Sequence, residues 1–365
     1  MKVTVLSHNL SSNAAMRALV LAEAAKSFAD VTIIGPARRA GQWPALPDEP
    51  WIHSVRKRRF PEFYDSFVEL LDLADGDVLL AVKPQLASFG VALVAGERRG
   101  VPVVLDVDDL DIALTPREAW DADPLTIDPS RPGSAVYVSL LTRAAGGAAA
   151  VTASSTTLAE RFGATLIAHG ADTSRFDPAL VDRAAARVRY GFHGPTVLFP
   201  GTPRQHKGID ELTRAMGELS GATLAVTCRP EDLGDAAWDD HALLRVPVVP
   251  HADMPSLLVA ADVVAVPQLD SLAGRHQMPM KVYDAMAMAR PIVASAVSDL
   301  PSLLDGCGVV VPPGEVGALA SAIGRLLADP AGAARLGDRA RRRCIDEFSR
   351  HRIAERLEHV LTSVG

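Results

Sequence analysis

The stretch LFPGTPRQHKGIDEL, Leu198–Leu212, decides how this chain is read. It begins apolar, as a strand does, and ends with helical spacing. Between the two lie Gly201, Pro203, Arg204, His206, Lys207 and Gly208. A turn with two glycines and two strong cations between a strand and a helix has two readings. It is a solvated surface turn, or it is a seat for an anion, because a helix N-terminus presents unpaired N–H groups and a partial positive charge. It is not a P-loop, since the Gly-x4-Gly-Lys-Ser/Thr pattern is absent. By its own residues the loop leaves both readings open.

The surrounding pattern places this loop in an α/β chain. Short apolar runs alternate with helical patterns: KVTVLS, then NAAMRALVLAEAAKSF, DVTIIG, DVLLAV, ASFGVALVAGERRG, VPVVLDV, AAVTAS and ATLIAHG. After the charged helical connector ALVDRAAARVRYGF a second series starts at PTVLFPG. It continues through ATLAVT, LLRVPVV, DVVAVP, PIVAS and GVVV and ends in long helices. Such alternation predicts parallel sheets covered by helices on both faces. The break near 176–195 predicts two doubly wound Rossmann-like domains, with boundaries set at 1–180, 181–345 and a terminal helix at 346–365. Ligands of such sheets bind outside the carboxyl ends of the strands.

Bulk properties narrow the classes. The chain has 365 residues, 48% of them hydrophobic and 22% charged, a globular balance with material for two cores. Its formal net charge of -7 argues against a general nucleic-acid binder. Three cysteines without CxxC spacing fit a reducing cytoplasm and offer no structural zinc site. The start, MKVTVLSHNL, lacks the apolar core of a signal peptide, and no uncharged apolar run approaches ~20 residues. A cytoplasmic location is the expectation.

A second constellation is GRHQMPMKVYDAMAMARPIVAS, Gly274–Ser295. A loop with Gly and Pro opens a helix near Met280, and Lys281 and Asp284 share a face. Either they form a helix-stabilising ion pair, or loop amides take phosphate while Asp284 accepts hydrogen bonds from a ribose diol.

Together these segments resemble the retaining glycosyltransferases of family 4, which have the two-domain GT-B fold. The likeness is carried by HGADTSRFDP, FPGTPRQHKGIDEL, MPSLLVAADVVAVP, and PMKVYDAMAMARPIVAS followed by GVVVPPGEVGALASAIGRLLADP. It spans the C-terminal half and extends more loosely to the β–α turn at Ser7–Ala15 and to VPVVLDVDDL. The resemblance implies two domains facing across a cleft, with C-terminal helices crossing back to the first domain. It implies a nucleotide-diphosphate sugar (UDP-, GDP- or dTDP-linked) held by the second domain and an acceptor of unknown kind held by the first.

On that resemblance Arg204 and Lys207 are the catalytic cations, stabilising the leaving diphosphate as a metal does elsewhere, so that no metal and no cofactor are required. Donor contacts are expected from Gly201, Thr202, Arg229, Val249, His276, Gln277, Met278, Met280 and Asp284, with Thr227–Pro230 and Val248–His251 bordering the base. Two departures mark a divergent subgroup. Thr202 stands where the family has Arg, with Arg204 two positions on. The Glu-x7-Glu pair maps onto His276 and Asp284, behind a Pro-x-Lys-x-x-acid helix start.

Acceptor or cleft residues are expected in the first half: Ser12 and Asn13 in the first turn, Lys83 after DVLLAV, and Asp106, Asp108, Asp109 and His169. Ser12 and Asn13 serve equally as a helix cap, and His169, like His8, a further possible cleft residue, is more often a hydrogen-bonded structural histidine. The acidic run LDVDDLD is read as acceptor contact or loop structure rather than metal site, for want of an apparent histidine to support it as a metal site. The basic-then-aromatic VRKRRFPEFYDSF, Val55–Phe67, is read as a solvated turn before an amphipathic helix, in preference to contact with anionic lipid or a polyanionic acceptor. Two other readings compete with the transferase: an epimerase acting on nucleotide sugars, and a nucleotide-binding protein without activity.

Overall fold

The computed structural model describes residues 1–114, 128–229 and 243–365. Within it the chain forms two compact units, residues 1–169 with 350–365, and residues 170–349.

Unit 1 begins with β1 (Lys2–Ser7), α1 (Ala15–Ala25), β2 (Asp30–Ala37), β3 (Ile52–Arg56), α2 (Phe63–Leu73) and β4 (Val78–Val82). It continues with α3 (Val91–Arg99), β5 (Val103–Val107), α4 (Ala135–Arg143), β6 (Ala150–Ala153), α5 (Thr156–Phe162) and β7 (Thr165–Leu166). The seven strands pair in parallel in the order β3-β2-β1-β4-β5-β6-β7. Central β4 and β5 are buried along their whole length, because helices cover both faces of the sheet. Leu79, Leu105, Phe89 and Leu70 lie in the resulting core.

Unit 2 holds α6 (Arg183–Tyr190), β8 (Thr196–Phe199), α7 (Ile209–Gly217), β9 (Thr223–Thr227), β10 (Leu243–Val246), α8 (Met254–Ala260) and β11 (Val263–Val266). There follow α9 (Leu272–Arg275), α10 (Met280–Ala287), β12 (Ile292–Ser295), α11 (Leu300–Leu303), β13 (Val309–Val311), α12 (Val316–Ala328) and α13 (Pro330–Phe348). Its six strands are again all parallel, in the order β10-β9-β8-β11-β12-β13. Val197, Phe199, Val263 and Val293 fill its core.

The doubly wound α/β reading therefore holds for both halves. The sequence reading omitted several elements, among them β3 and α4, whose omission has a physical cause. β3 is an edge strand of five residues with only Ile52 and Val55 buried, too polar to stand out. α4 presents Val136 and Leu140 to solvent, which blurs its periodicity. Of the long C-terminal helices, α13 stays in unit 2 against α10, and only α14 (Arg350–Ser363) returns to unit 1, where it packs on α1 and Arg350 pairs with Glu23 at 2.9 Å. Cys228, Cys307 and Cys344 are free and buried. Among the described residues no helix is long and apolar enough to cross a membrane.

Candidate functional site

In unit 2 the loop after β8 lies at the carboxyl edge of the sheet. Gly208 sits at φ 70°, and a Cβ there would stand 1.8 Å from the Pro267 carbonyl oxygen. Only glycine lets the loop press against the segment leaving β11, and the Leu269 N–H then donates to the His206 carbonyl at 3.0 Å. The loops of two adjacent strands are thus fastened together, which fixes the loop that carries the cations. Arg204 is exposed, and the Lys207 ammonium donates to the Thr202 carbonyl at 3.4 Å.

A third cation joins them. The Lys281 ammonium lies 3.6 Å above the Phe199 ring and 3.8 Å from where a Cβ on Gly201 would sit. Burial first and Lys207 second push its pKa well below the ordinary lysine range. Lys281 does not pair with Asp284, so the helix ion pair weighed from the spacing is not formed. The Asp284 carboxylate turns inward instead: it is 3% exposed and lies 3.6 Å from His251 Nε2. His251 Nδ1 meets the Arg175 guanidinium at 2.7 Å, and the His251 ring packs on Phe176 at 5.1 Å.

The loop before α10 is rigid by construction. Gln268 is buried, and its amide donates to the Gly274 carbonyl at 2.6 Å and the Gln277 carbonyl at 3.0 Å. The Ser271 hydroxyl accepts from the Gly274 N–H at 3.0 Å, and His276 Nδ1 meets the Leu272 carbonyl at 2.9 Å. This brings Gln277 and Met280 to the open N-terminus of α10. Met278 and Val249 are 2% and 8% exposed, so their side chains are turned inward. Arg229 ends the described part of the segment after β9, and Pro230 lies outside the described residues.

Unit 1 gathers a different set at the carboxyl ends of β4 and β5. Lys83 is buried and holds a left-handed φ of 70°, a conformation that strains a non-glycine residue by about 1–3 kcal/mol. Its ammonium meets Asp109, and Asp111 and Asp108 lie 3.7 and 3.8 Å away. Three carboxylates overcome the effect of burial and raise the lysine pKa above its usual range. His169 Nε2 is 3.2 Å from Asp108. Against the opposing effect of burial, Lys83 and then His169 hold the Asp108 carboxyl below the usual range. Asp111 goes the other way: burial, and secondarily Asp109, lift it to about 6. A cation stands among these carboxylates, where a metal reading of LDVDDLD would put the metal.

Asp106 must be corrected. It is 0% exposed, and Arg17 of α1, 1% exposed, grips it with two bonds of 2.9 and 2.8 Å. Thr152 adds a third bond at 2.7 Å, and Arg17 also donates to the Ile167 and Ala168 carbonyls at 2.7 and 3.2 Å. Asp106 is a buried strut and not a cleft residue. In the first turn Asn9 organises the loop, donating to the Ser12 hydroxyl at 2.9 Å and accepting from the Ser11 N–H at 3.1 Å, while Asn13 is exposed. His8, weighed in the sequence as a cleft residue or a structural histidine, has a buried Nδ1 without a hydrogen-bond partner. Burial, then Lys83 and Lys57, keep its pKa down at about 3, so it is a neutral imidazole facing this group.

The comparisons agree with this architecture. Residues 14–173 match the family model of the glycosyl transferase 4-like domain, and residues 194–329 match that of glycosyl transferases group 1. A D-inositol 3-phosphate glycosyltransferase of Kineococcus radiotolerans is 32% identical over 205 residues, which cover 48% of this chain and 46% of that protein. The chain thus matches about half the length of such curated relatives. Among solved structures, sucrose-phosphate synthase from Thermosynechococcus elongatus is similar with a TM-score of 0.72 at 18% identity, over 100% of this chain and 98% of that one. Anabaena HepE in complex with UDP-glucose gives 0.74 at 16% identity over 100% of both chains. At such identities the likeness is one of fold. With one transferase domain matched in each parallel-sheet unit, the chain belongs to the GT-B glycosyltransferases of the family 4 type.

Proposed function

We propose that the protein transfers a sugar from a nucleotide-diphosphate sugar to an acceptor with retention of anomeric configuration. The observation that carries this reading is that Lys207 and Lys281 meet at the carboxyl end of β8, on the loop that also carries Arg204. A diphosphate leaving group develops negative charge as the glycosidic bond breaks, and fixed cations in a low-dielectric site stabilise that charge without reorganising. The N–H groups of Met280 and Lys281, in the first turn of α10, add partial positive charge on the same edge. Asp284 would take the ribose hydroxyls once His251 releases its carboxylate. The cations supply what a divalent metal supplies in other transferases, so the reaction runs without one.

In unit 1 the acceptor would meet Lys83, Asp108, Asp109 and His169. Asp108, ionised and bonded to His169, suits orientation of an acceptor hydroxyl, and neutral His8 can accept a hydrogen bond through Nδ1. UDP-glucose, carried by HepE in its solved complex, is the first donor to try.

The test is release of nucleotide diphosphate from UDP-, GDP-, dTDP- and ADP-sugars, in the presence of EDTA, with product anomers read by NMR. Acceptor-dependent release with a retained anomer is the expected result. A changed sugar without release identifies an epimerase. Activity lost in EDTA and restored by Mn²⁺ or Mg²⁺ removes the metal-independent part of the reading.

A further inference from the structure

Unit 1 carries a second polar feature that the transferase reading leaves unused. β2 and β3 end side by side, Ala37 opposite Arg56. The chain continues into Arg38 from one strand and Lys57 from the other, and the Lys57 N–H donates to the Ala37 carbonyl at 2.7 Å. Both cations stand at the carboxyl edge, where doubly wound sheets take ligands. Arg58, Arg59 and Arg131 complete the lining of a cavity of about 550 Å³ with Gly133 in its wall.

This wall is held in place. The Phe60 N–H donates to the Ser130 carbonyl at 2.8 Å, and the Phe60 ring packs on Tyr137 at 5.7 Å, so the turn before α4 is fastened to the loop after β3. On the other side the Arg38 N–H donates to the Ser11 hydroxyl at 2.6 Å, and that hydroxyl donates to the Gly41 carbonyl at 2.6 Å.

The charge is not balanced. Arg58 pairs with Glu69 at 3.0 Å, and Arg59 and Arg131 share Asp128 at 3.6 and 2.9 Å. Among the described residues Arg38 and Lys57 have no carboxylate partner. Desolvation first and Arg38 second draw the Lys57 pKa down to about 8, as two cations crowded without a counter-charge require. Four of the five are exposed, yet all five line the one cavity.

The cavity also adjoins the carboxylate group. A Cβ on Gly133 would lie 3.5 Å from Gln85 Oε1, and the Gln85 amide donates to Asp111 at 3.1 Å. His8 feels the charge of both Lys83 and Lys57.

We propose that this cavity is the subsite for a phosphate group carried by the acceptor, held by Arg38 and Lys57 and faced by Arg131. The proposal rests on the transferase reading, which puts the acceptor on unit 1. Guanidinium forks match phosphate oxygens in pairs, and lysine adds a point charge. The neighbouring carboxylates are then left for the acceptor hydroxyls.

The test titrates inorganic phosphate by calorimetry with UDP saturating, so that the cations of unit 2 are occupied. In parallel the protein is sedimented with vesicles of phosphatidylglycerol and phosphatidylcholine, and of phosphatidylcholine alone. Wild type should bind phosphate or the anionic vesicles. The double variant Arg38→Gln, Lys57→Gln should lose about tenfold or more in affinity, as expected for two charge-assisted contacts, with its UDP affinity unchanged. Phosphate binding in free solution supports a soluble phosphate monoester as acceptor, and binding to anionic vesicles alone supports a lipid phosphate. Binding to neither, or binding the double variant retains, overturns the subsite. UDP titrated into the same samples keeps the two readings apart: failure of phosphate alone removes the subsite, and failure of UDP removes the transferase reading. If the double variant melts early, Lys57→Gln alone serves, with the same outcomes.

Discussion

The Lys281 ammonium rests 3.6 Å above the Phe199 ring, at the start of the loop that carries Arg204 and Lys207. A ring face offers weak compensation for a buried ammonium, and Lys207 repels it, so its pKa is well below the ordinary value. A bound diphosphate reverses both effects and raises that pKa. Donor binding should therefore take up protons, and affinity should fall as pH rises. Calorimetric titration of UDP in two buffers of different ionisation enthalpy measures the uptake. Lys281→Met should abolish it and weaken binding about tenfold or more. Equal uptake in wild type and variant would remove Lys281 from the site.

Arg204→Ala and Lys207→Ala should each slow transfer by about 100-fold, near 3 kcal/mol of transition-state stabilisation. Neither side chain packs a core, so melting should hardly move. Turnover close to wild type in both, at low and at saturating donor, defeats the assignment.

Asp284 and His251 give a two-sided test. Asp284→Ala should cost about 1.5–3 kcal/mol in affinity for free UDP and for UDP-sugar alike, because the ribose is common to both. His276→Ala should leave UDP affinity and change sugar selectivity. If Asp284→Ala lowers the melting temperature while UDP affinity stays, the carboxylate serves only the His251–Arg175 chain.

Arg17 and Asp106 form a buried pair, and removing one partner leaves the other charge stranded. Arg17→Met should destabilise by about 3–5 kcal/mol. The double variant Arg17→Met, Asp106→Leu should recover part of that loss, since no lone charge remains. A denaturant-unfolding cycle measures this, and a double variant as unstable as the sum of the singles contradicts it.

Asp111 makes stability depend on pH. Its folded pKa of about 6 lies above the ordinary 3.8, so the folded chain binds this proton more tightly. The stability it contributes is full below pH ~4 and is lost as pH rises through ~6, up to about 3 kcal/mol in all. Asp111→Asn keeps the carbonyl that accepts from Gln85 and removes the titration. The variant's melting temperature should gain on wild type between pH 4 and 7. Parallel curves over that window speak against the shift.

Much of the fold was legible because it is written in local pattern. Apolar runs of four to eight residues between helical periods determine parallel α/β units, and two such series determine two of them. Gly201 and Gly208 marked a turn between a strand and a helix, and Arg204 and Lys207 marked cations beside the helix start. These signals act over a few residues, within reach of a linear reading.

Tertiary structure decided the rest, because it depends on which distant residues meet. Asp106 and Asp108 look alike in LDVDDLD. Yet only Asp106 falls inward on β5, where Arg17, 89 positions away, neutralises it. Lys281 and Asp284 share a helix face by spacing, but Phe199 draws one toward the loop and His251 draws the other into the interior. Arg56, Lys57 and Arg59 of VRKRRF are exposed, as their charges suggest, but only the pairing of β3 with β2 brings Lys57 beside Arg38 at the wall of one cavity. The sequence by itself determined the architecture and the chemical types at the strand ends. Burial, and with it the sign and strength of each charge, was decided by packing, since desolvation and Coulomb energy depend on distances the linear order does not contain.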